Sequence, residues 1–337
     1  MATQLTYAVV TPAALRKGRT GGILARLISR SGLDLTTGRV FAPSSVLLDQ
    51  LASTLPAQSK TASYLKSLPV GTQLLVLVFQ GDDAVSKVAS LVGDDTTMNG
   101  RGETLRDTFG DLVEEGGKTL YFEPGVISPS SVGEAEAGLK LLAAASDAEG
   151  GIQDATATFP AGTALEKTLV LIKPDNFAFP NTRPGGVIDL LTRTGLALVG
   201  FKPFHMSVAQ GEEFYGPVLD FLVKKLPDGR EQWESIIAFM SGKRPSDCQP
   251  DEKQLPGSQP CVALIYQGPD AVAKIREALG PTNPLQAPHG TIRKEFGTNI
   301  MINGAHASDS VENVARETGI IRLEENDFKT KIAAALI

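Results

Sequence analysis

Residues 169–174 read Leu-Val-Leu-Ile-Lys-Pro, an apolar run that ends at a lysine and a proline. A short run of large apolar residues is typical of a buried strand, and proline does not continue a strand ladder. Gly185-Gly186 then precedes apolar residues at helical spacing, from Val187 to Leu191. This part of the chain therefore predicts a buried strand followed by an amphipathic helix.

The same order of signals occurs in the first half of the chain. Tyr7-Ala-Val-Val10 is followed by Thr11-Pro12, and Gly21-Gly22 precedes another apolar pattern at helical spacing. The next matching strands are 74–79 and 262–266, each followed by a helical pattern. Each half thus predicts β-α-β, a helical excursion and a second β-α-β. This order favours an α+β protein with two tandem ferredoxin-like (βαββαβ) domains, each an antiparallel sheet covered by helices.

The repeat also predicts domain boundaries. We expect a first domain over residues 1–146, a linker rich in Gly, Ala, Thr and Pro over 147–163, and a second domain over 164–337. The offset between the halves grows along the chain, and residues 242–259 have the polar, proline-containing composition of an inserted surface loop. The last strand of the first domain is predicted around residues 120–122.

Length and composition limit the class of protein. The 337 residues suit two domains of ordinary size. A net charge of −6 argues against a broad nucleic-acid-binding surface. Two cysteines without metal-ligand spacing are typical of a reducing compartment. The sequence has neither a signal-peptide pattern nor an apolar run of about 18 residues. We therefore expect a soluble cytoplasmic protein with no membrane partner and no dedicated nucleic-acid surface.

A second stretch indicates chemistry. Residues 303–310 read Asn-Gly-Ala-His-Ala-Ser-Asp-Ser. Asp309, with Glu312 three residues later, predicts a capping box that opens a helix. His306 would then precede a helix N-terminus, which favours anionic phosphate, and Glu317 on that helix could reach back to the imidazole. The pattern suggests a nucleophile, although a lone histidine near a helix start is more often a structural hydrogen-bonding residue.

Other side chains suited to phosphate binding occur in the second half of the chain. They are Lys173, Tyr215, Arg276, Thr282 and Arg293. Taken singly, each has an ordinary interpretation, such as a solvated lysine, an arginine paired with a nearby carboxylate or a half-buried tyrosine. Taken together with His306, they form a known pattern.

That pattern resembles the nucleoside diphosphate kinase family over roughly residues 167–320. The matching segments are Leu171-Ile-Lys-Pro-Asp175, Phe214-Tyr215, Phe239-Met-Ser-Gly242, Leu279-Gly-Pro-Thr-Asn-Pro284, Gly290-Thr-Ile-Arg293 and Asn303-Gly-Ala-His-Ala-Ser-Asp-Ser310. The resemblance implies a ping-pong phosphotransferase. His306 would take the γ-phosphate of a donor such as ATP as a phosphohistidine and pass it to a nucleoside diphosphate.

The resemblance also implies roles for the surrounding residues. By this resemblance, Glu317 and Ser308 would hold the imidazole ring, and Arg276, Arg293 and Thr282 would bind the phosphates. Lys173 and Tyr215 would contact the transferring phosphoryl group. Lys173 together with Asn303 would contact the ribose 3′-hydroxyl. Mg²⁺ is expected on the nucleotide phosphates, with little or no ligation by the protein.

The chain departs from the family pattern at two places. Asn176 stands where the family usually has glycine after Lys-Pro-Asp, and we expect asparagine to tolerate the left-handed turn that glycine favours. The residue that stacks on the base is open, because Gln232, Trp233 and Phe177 are all candidates.

The first half lacks most of the pattern. Thr11, Ala89 and Asp95 stand at the positions of Lys173, Arg276 and Thr282, whereas Arg106 stands at the position of Arg293; this comparison rests on the ordered matching of the two halves. No histidine precedes His205. We therefore expect a degenerate copy of the family domain, retained for assembly or regulation.

Two alternatives to the kinase remain open. They are a nucleotide-binding regulatory or scaffold protein with vestigial activity, and a phosphotransferase that acts on a protein histidine. The resemblance further implies a homo-oligomer, either a dimer or a trimer of tandem chains. Other nucleotide folds are disfavoured, because the sequence contains neither a P-loop nor a dinucleotide-binding glycine motif behind a strand.

Overall fold

The structure is a computed structural model that describes residues 3–95, 102–156 and 159–335. Its contacts divide the chain into two compact units. Unit 1 comprises Met1–Thr163, Pro180–Phe201 and Asn326–Ile337, and unit 2 comprises Ala164–Phe179 and Lys202–Glu325.

The first half of the chain forms one α+β layer structure. Its strands are β1 (Thr3–Val10), β2 (Asp34–Phe41), β3 (Leu74–Asp82), β4 (Asp111–Glu115), β5 (Lys118–Glu123) and β6 (Val126–Ile127). Its helices are α1 (Pro12–Arg16), α2 (Thr20–Ser31), α3 (Ser45–Ser53), α4 (Lys60–Ser67), α5 (Ala84–Val92), α6 (Leu105–Phe109) and α7 (Val132–Ala145). The main sheet is antiparallel with the order β2-β3-β1-β6. This is the strand order of a ferredoxin-like βαββαβ fold, as the sequence predicts.

The predicted last strand of the first half was misplaced. Residues 120–122 belong to β5, which pairs with β4 in a separate two-stranded sheet. The fourth strand of the main sheet is β6, in which Val126 and Ile127 are 0% and 2% exposed. Leu120 is 61% exposed. The short buried pair, and not the longer exposed run, completes the core, because only the buried pair removes apolar surface from water against β1.

The second half repeats this arrangement. Its strands are β7 (Glu166–Ile172), β8 (Ala197–His205), β9 (Pro260–Gly268) and β10 (Ala305–Ala307). Its helices are α8 (Arg183–Thr192), α9 (Val208–Phe214), α10 (Gly216–Lys225), α11 (Gly229–Ser241), α12 (Ala271–Leu279), α13 (Ile292–Phe296), α14 (Val311–Ile320) and α15 (Asp327–Ala335). Short 3₁₀ turns occur at Pro174–Asn176, Pro245–Asp247, Glu252–Gln254 and Pro284–Gln286. The sheet order is β10-β7-β9-β8, which corresponds strand by strand to the first sheet. Both sheets therefore have ferredoxin-like order, and the α+β prediction is confirmed.

The extra residues of the second half are not confined to the predicted loop. Between β8 and β9 the chain forms α9, α10 and α11, whereas α3 and α4 connect β2 to β3. Helix α10 has no buried residue. Residues 242–259 follow α11 as a largely exposed segment in which Pro245 is buried. The insertion therefore includes helical residues as well as this surface segment.

Unit 1 also includes contacts outside its main sheet. Helices α2 and α8 approach through glycines, because a Cβ atom on Gly21 would lie 2.5 Å from the Gly185 carbonyl oxygen. The segment after α7 follows β2, where Ala42 N donates to the Glu149 carbonyl at 2.8 Å. Residues 149–151 of the predicted linker are thus hydrogen-bonded to the first half. In the three described ranges, no helix combines the length and the apolar composition needed to cross a membrane.

Candidate active site

His306 lies on the edge strand of the second sheet. It is the central residue of β10 and pairs with Leu171 of β7. Its Nε2 atom lies 2.9 Å from Oε2 of Glu317, and the Ser308 hydroxyl donates to the same carboxylate oxygen at 2.6 Å. Glu317 is 4% exposed, whereas the His306 side chain is 25% exposed. A buried carboxylate therefore contacts one ring nitrogen, Nε2, and the ring itself remains accessible.

Helix α14 brings Glu317 to the histidine, but its cap differs from the prediction. Ser310 is the N-cap, since its hydroxyl accepts from Asn313 N at 3.1 Å. Asp309 instead accepts from the Asn313 side chain at 2.6 Å, so the predicted Asp309–Glu312 capping box is wrong. A serine in extended conformation is as good a cap as an aspartate. Sequence alone could not rank the two neighbouring candidates.

Lys173 follows β7 and lies close to the segment that precedes β10. Its Nζ atom donates to Asn303 Oδ1 at 2.9 Å and to the Met301 carbonyl. The ammonium group also lies 4.9 Å from the centre of the Phe239 ring, which is cation–π geometry. Burial lowers the pKa of Lys173 to about 8, against the opposing effect of the Asp175 charge. The Lys173 ammonium is thus held by neutral acceptors in a poorly solvated place.

Of the predicted phosphate-binding arginines, Arg276 lies on α12 and Arg293 lies on α13, between α12 and β10. Arg293 on α13 donates through Nη1 to the Gly280 carbonyl at 2.9 Å and through Nη2 to the Ala305 carbonyl at 3.4 Å. Its Nε is buried and has no hydrogen-bond partner among the described residues. Burial, together with the charge of Arg276, lowers the pKa of Arg293 to about 10. Two guanidinium groups that repel each other, those of Arg276 and Arg293, favour the binding of an anion.

The other predicted residues surround these groups. Arg276 is exposed in the last turn of α12, and Thr282 is exposed in the loop that follows. The Thr282 carbonyl accepts from Asn303 Nδ2 at 3.2 Å. Unit 2 contains every residue that the sequence singled out for the site. The predicted site residues, although they come from separate segments of the chain, therefore all belong to one compact unit.

Phe214 is the last residue of α9, and Tyr215 follows it. The Phe214 ring packs edge-on against the imidazole, with 5.1 Å between the ring centres. Tyr215 is half-buried next to Phe214, and burial raises the pKa of its hydroxyl. Trp233 is 6% exposed and donates through Nε1 to the Tyr215 carbonyl at 2.8 Å. Of the open candidates for stacking on a base, Trp233 is therefore a core residue.

Sequence reasoning overlooked two residues that support Glu317 and the histidine ring. Phe214 was quoted only as part of a motif. Arg316 lies 3.5 Å from Glu317 Oε1 and donates to the carbonyls of Glu213 and Phe214 at 3.3–3.4 Å. Arg316 thus connects α14 to the end of α9. Its position next to Glu317 in sequence was the available signal, but its contacts with α9 depend on the packing of the two helices.

The described residues contain no group of three or more His, Cys, Asp or Glu side chains arranged to hold a metal ion.

Comparison with known proteins identifies the family. A family model described as "Nucleoside diphosphate kinase" matches residues 166–326. A nucleoside diphosphate kinase of Azorhizobium caulinodans is 36% identical over 154 residues, which cover 46% of this chain and 91% of that protein. The chain belongs to the nucleoside diphosphate kinase family. This membership places it among phosphotransferase enzymes.

Further relatives cover the same part of the chain. A nucleoside diphosphate kinase of Syntrophotalea carbinolica is 32% identical over 155 residues, covering 46% of this chain and 93% of that protein. A crystal structure of the Aquifex aeolicus nucleoside diphosphate kinase is 28% identical in sequence, with a TM-score of 0.36. The matched region covers 47% of this chain and 95% of the Aquifex chain. The predicted site residues all lie inside the range that matches the nucleoside diphosphate kinase family model.

The first sheet of this nucleoside diphosphate kinase family member has a different residue at the histidine position. Ile127 pairs with Val9 in β1, and His306 pairs with Leu171 in β7. The neighbouring residue pairs are equivalent as well: Val10 pairs with Val126 in the first sheet, and Ile172 pairs with Ala305 in the second. Ile127 is 2% exposed and belongs to the apolar core of unit 1.

A buried carboxylate lies next to the Thr11 position in the first half. Glu123 is 4% exposed and accepts from the Thr11 hydroxyl and the Tyr64 hydroxyl, each at 2.5 Å, and from Gly125 N at 3.0 Å. Arg106 donates to the Gly93 carbonyl at 2.8 Å, as Arg293 does to Gly280. The arginine contact is therefore shared by the two halves, whereas an internal carboxylate network is found beside Thr11.

Proposed function

We propose that this protein transfers the γ-phosphoryl group of a nucleoside triphosphate to a nucleoside diphosphate through a phosphohistidine at His306. The observation that supports this most directly is the contact between Glu317 and Nε2 of His306. A carboxylate on Nε2 favours the tautomer with the proton on Nε2, so that Nδ1 carries the free lone pair. In the first step Nδ1 attacks the γ-phosphorus, the bond to the bridging oxygen breaks, and the diphosphate leaves with that electron pair.

The second step reverses the first with another nucleotide. A terminal oxygen of the acceptor diphosphate attacks the phosphorus, and the phosphorus–nitrogen bond breaks to return the electron pair to Nδ1. Dividing the transfer in two lets one site serve both nucleotides. Glu317 stabilises the positive charge that develops on the ring during each attack, and Ser308 orients that carboxylate.

Cationic side chains supply the stabilisation that a loose phosphoryl transition state needs. We assign Arg276, Arg293 and Thr282 to the β-phosphate and the transferring phosphoryl group. The pair of arginines lies where an anion would relieve the mutual repulsion that contributes to the lowered pKa of Arg293. Lys173 and Tyr215 contact the transferring group.

Lys173 and Asn303 are also assigned to the ribose 3′-hydroxyl, since their side chains already form one hydrogen-bonded pair. The donor is taken as ATP with Mg²⁺ bound to its phosphates, so that the ion arrives and leaves with the substrate.

The decisive experiment follows label from γ-labelled ATP. Purified wild-type chain is incubated with labelled ATP and Mg²⁺, and a nucleoside diphosphate is then added. Label that is acid-labile and base-stable, that leaves on the chase and that is absent from His306→Ala supports the proposal. His289→Ala is the matched control, because His289 is exposed and lies outside the site.

Other outcomes point to the alternatives. A folded wild-type chain that binds ATP without taking up label is a nucleotide-binding pseudoenzyme. Label that leaves to a protein histidine but not to a nucleoside diphosphate indicates a protein phosphotransferase. Label that persists in His306→Ala overturns His306 as the nucleophile.

We further propose that residues 1–146 form a degenerate domain that does not transfer phosphate, followed by a linker over 147–163 and the catalytic domain over 164–337. The observations in favour are Ile127 at the histidine position and the buried Glu123 beside Thr11. We also propose that the chain acts in the cytoplasm as a dimer or trimer of tandem chains. Light scattering that finds a stable monomer contradicts that assembly.

A further inference from the structure

The backbone that leads to His306 is held on both sides at Gly304. Gly304 has φ +80 and lies between Asn303 and β10. Its N–H donates to Asp175 Oδ2 at 3.2 Å. Its carbonyl accepts from Lys173 N at 3.0 Å and from Asn176 Nδ2 at 2.7 Å. Residues 173–176 are therefore hydrogen-bonded to the backbone between Asn303 and β10.

Asn176 is central to this arrangement. It ends the 3₁₀ turn Pro174–Asn176 and is 0% exposed. Its Nδ2 donates to the Lys173 carbonyl at 3.0 Å as well as to the Gly304 carbonyl. An amide nitrogen has two hydrogens, and both are used here. Asn176 is absent from the positive-φ residues of the described chain, so the expected left-handed turn is wrong. The distinguishing feature of Asn176 is therefore its pair of side-chain hydrogen bonds and not a left-handed backbone conformation.

The first half provides an internal comparison. Thr11 N donates to the Gly125 carbonyl at 3.1 Å, which repeats the bond from Lys173 to Gly304. Three residues after Thr11 the chain has Ala14, whereas three residues after Lys173 it has Asn176. A side-chain amide that joins two backbone carbonyls thus occurs next to β10, which carries His306. Ala14 has no side-chain amide that could form such contacts next to β6, which carries Ile127.

We propose that Asn176 is a positioning residue for phosphoryl transfer, whose amide joins the Lys173 and Gly304 carbonyls and so fixes the Lys173 ammonium and the Asn303 amide relative to His306. This inference rests on the proposed function. The Lys173 ammonium donates to Asn303 Oδ1 at 2.9 Å. A shift of the backbone at Lys173 or at Gly304 would therefore move both the ammonium and the Asn303 amide. Misplacement of about 1 Å costs roughly a hundredfold in rate when reacting groups must be aligned.

The experiment is single-turnover labelling of the whole chain with γ-labelled ATP and Mg²⁺, stopped by rapid quench. Asn176→Asp keeps the shape but replaces the donating nitrogen by an acceptor, and Asn176→Gly introduces the residue usual in the family. We expect the maximal labelling rate to fall by about tenfold to a hundredfold in both variants. The final amount of label per folded chain should stay at the wild-type level. Asn181→Ala, which removes a side-chain acceptor for Arg183 N elsewhere in the chain, should label at the wild-type rate.

The outcomes separate the two proposals. If the wild type is labelled and Asn176→Asp and Asn176→Gly reach the wild-type maximal rate, the inference about Asn176 is overturned and the proposed function stands. If the variants label at the wild-type maximal rate and only the fraction of chains that fold is reduced, Asn176 serves folding only, and the inference is again overturned. If the folded wild type takes up no label, the proposed function fails and the inference fails with it.

Discussion

The Glu317 carboxylate is buried, lies 2.9 Å from Nε2 of His306 and accepts a hydrogen bond from the Ser308 hydroxyl. The carboxylate thus has one oxygen that serves both the ring and the hydroxyl. Helix α14 and strand β10 are separate elements, and this contact is where they meet in the site.

Replacing Glu317 with glutamine should slow phosphohistidine formation by about tenfold to a hundredfold. This is a typical cost for losing the residue that orients a functional histidine ring and stabilises its positive charge. The amide can still accept a hydrogen bond, but it has no charge to stabilise the ring as Nδ1 becomes bonded to phosphorus. Rapid-quench labelling with γ-labelled ATP measures the rate. Glu312→Gln, on the exposed first turn of the same helix, is the control and should match the wild type. An unaffected rate in Glu317→Gln contradicts the assigned role.

The pH dependence should show the loss of the Lys173 charge. Burial lowers the pKa of this ammonium to about 8, so the free enzyme loses the charge as pH rises through that value. We therefore expect kcat/KM for ATP to fall above about pH 8, because kcat/KM reports groups of the free enzyme. Under saturating ATP the decline in kcat should begin at higher pH, since bound phosphates favour the charged lysine.

Steady-state rates measured from about pH 6 to about pH 10 test this prediction. In Lys173→Arg the alkaline decline should move to higher pH, since guanidinium stays protonated there. A wild-type profile without any alkaline decline would contradict a role for the Lys173 charge.

A histidine placed at residue 127 should not restore transfer in the first half. Ile127 has the register position of His306, but Thr11 stands where Lys173 stands, and the buried Glu123 carboxylate lies next to it. We expect Ile127→His in a His306→Ala background to take up no label from ATP. Mass spectrometry of the labelled peptides identifies any modified residue. A phosphohistidine at residue 127 would show that the first half retains a working phosphate site.

The Glu123 network should contribute to stability and not to catalysis. Tyr64→Phe removes one of the hydroxyl donors to a buried carboxylate, and hydrogen bonds to charged groups contribute about 2 kcal/mol. We expect a lower unfolding temperature for unit 1 and an unchanged labelling rate at His306. Differential scanning calorimetry measures the first quantity. Tyr121→Phe is the control, because Tyr121 is 49% exposed. A slower labelling rate in Tyr64→Phe would show that the network matters for the reaction.

Much of the fold could be predicted because its signals are local. The apolar runs in β1, β3, β7 and β9 and the helical spacing after each glycine pair require only the alternation and periodicity of neighbouring residues. The error at residues 120–122 has the opposite cause. A two-residue strand such as β6 is too short to show a periodicity, and its identity depends on the pairing with β1.

The candidate site residues could be proposed from sequence because they occur in short segments with characteristic order. Their spatial arrangement could not be selected in the same way. Ser310 and Asp309 are equally good caps in sequence, and only the backbone conformation distinguishes them. Phe214 reaches the histidine because α9 ends beside β10, and Arg316 reaches α9 because of how α14 packs.

The sequence by itself determined the repeated β-α-β order and the α+β class, and it supplied the candidate residues around His306, since these depend on residue type and spacing along the chain. The tertiary structure decided which atoms meet. It places Glu317 on Nε2 of His306, Ile127 at the histidine position of the first sheet, and the Asn176 amide between the carbonyls of Lys173 and Gly304. Such contacts join residues far apart in sequence, and their geometry follows from strand register and helix packing, which no local pattern encodes.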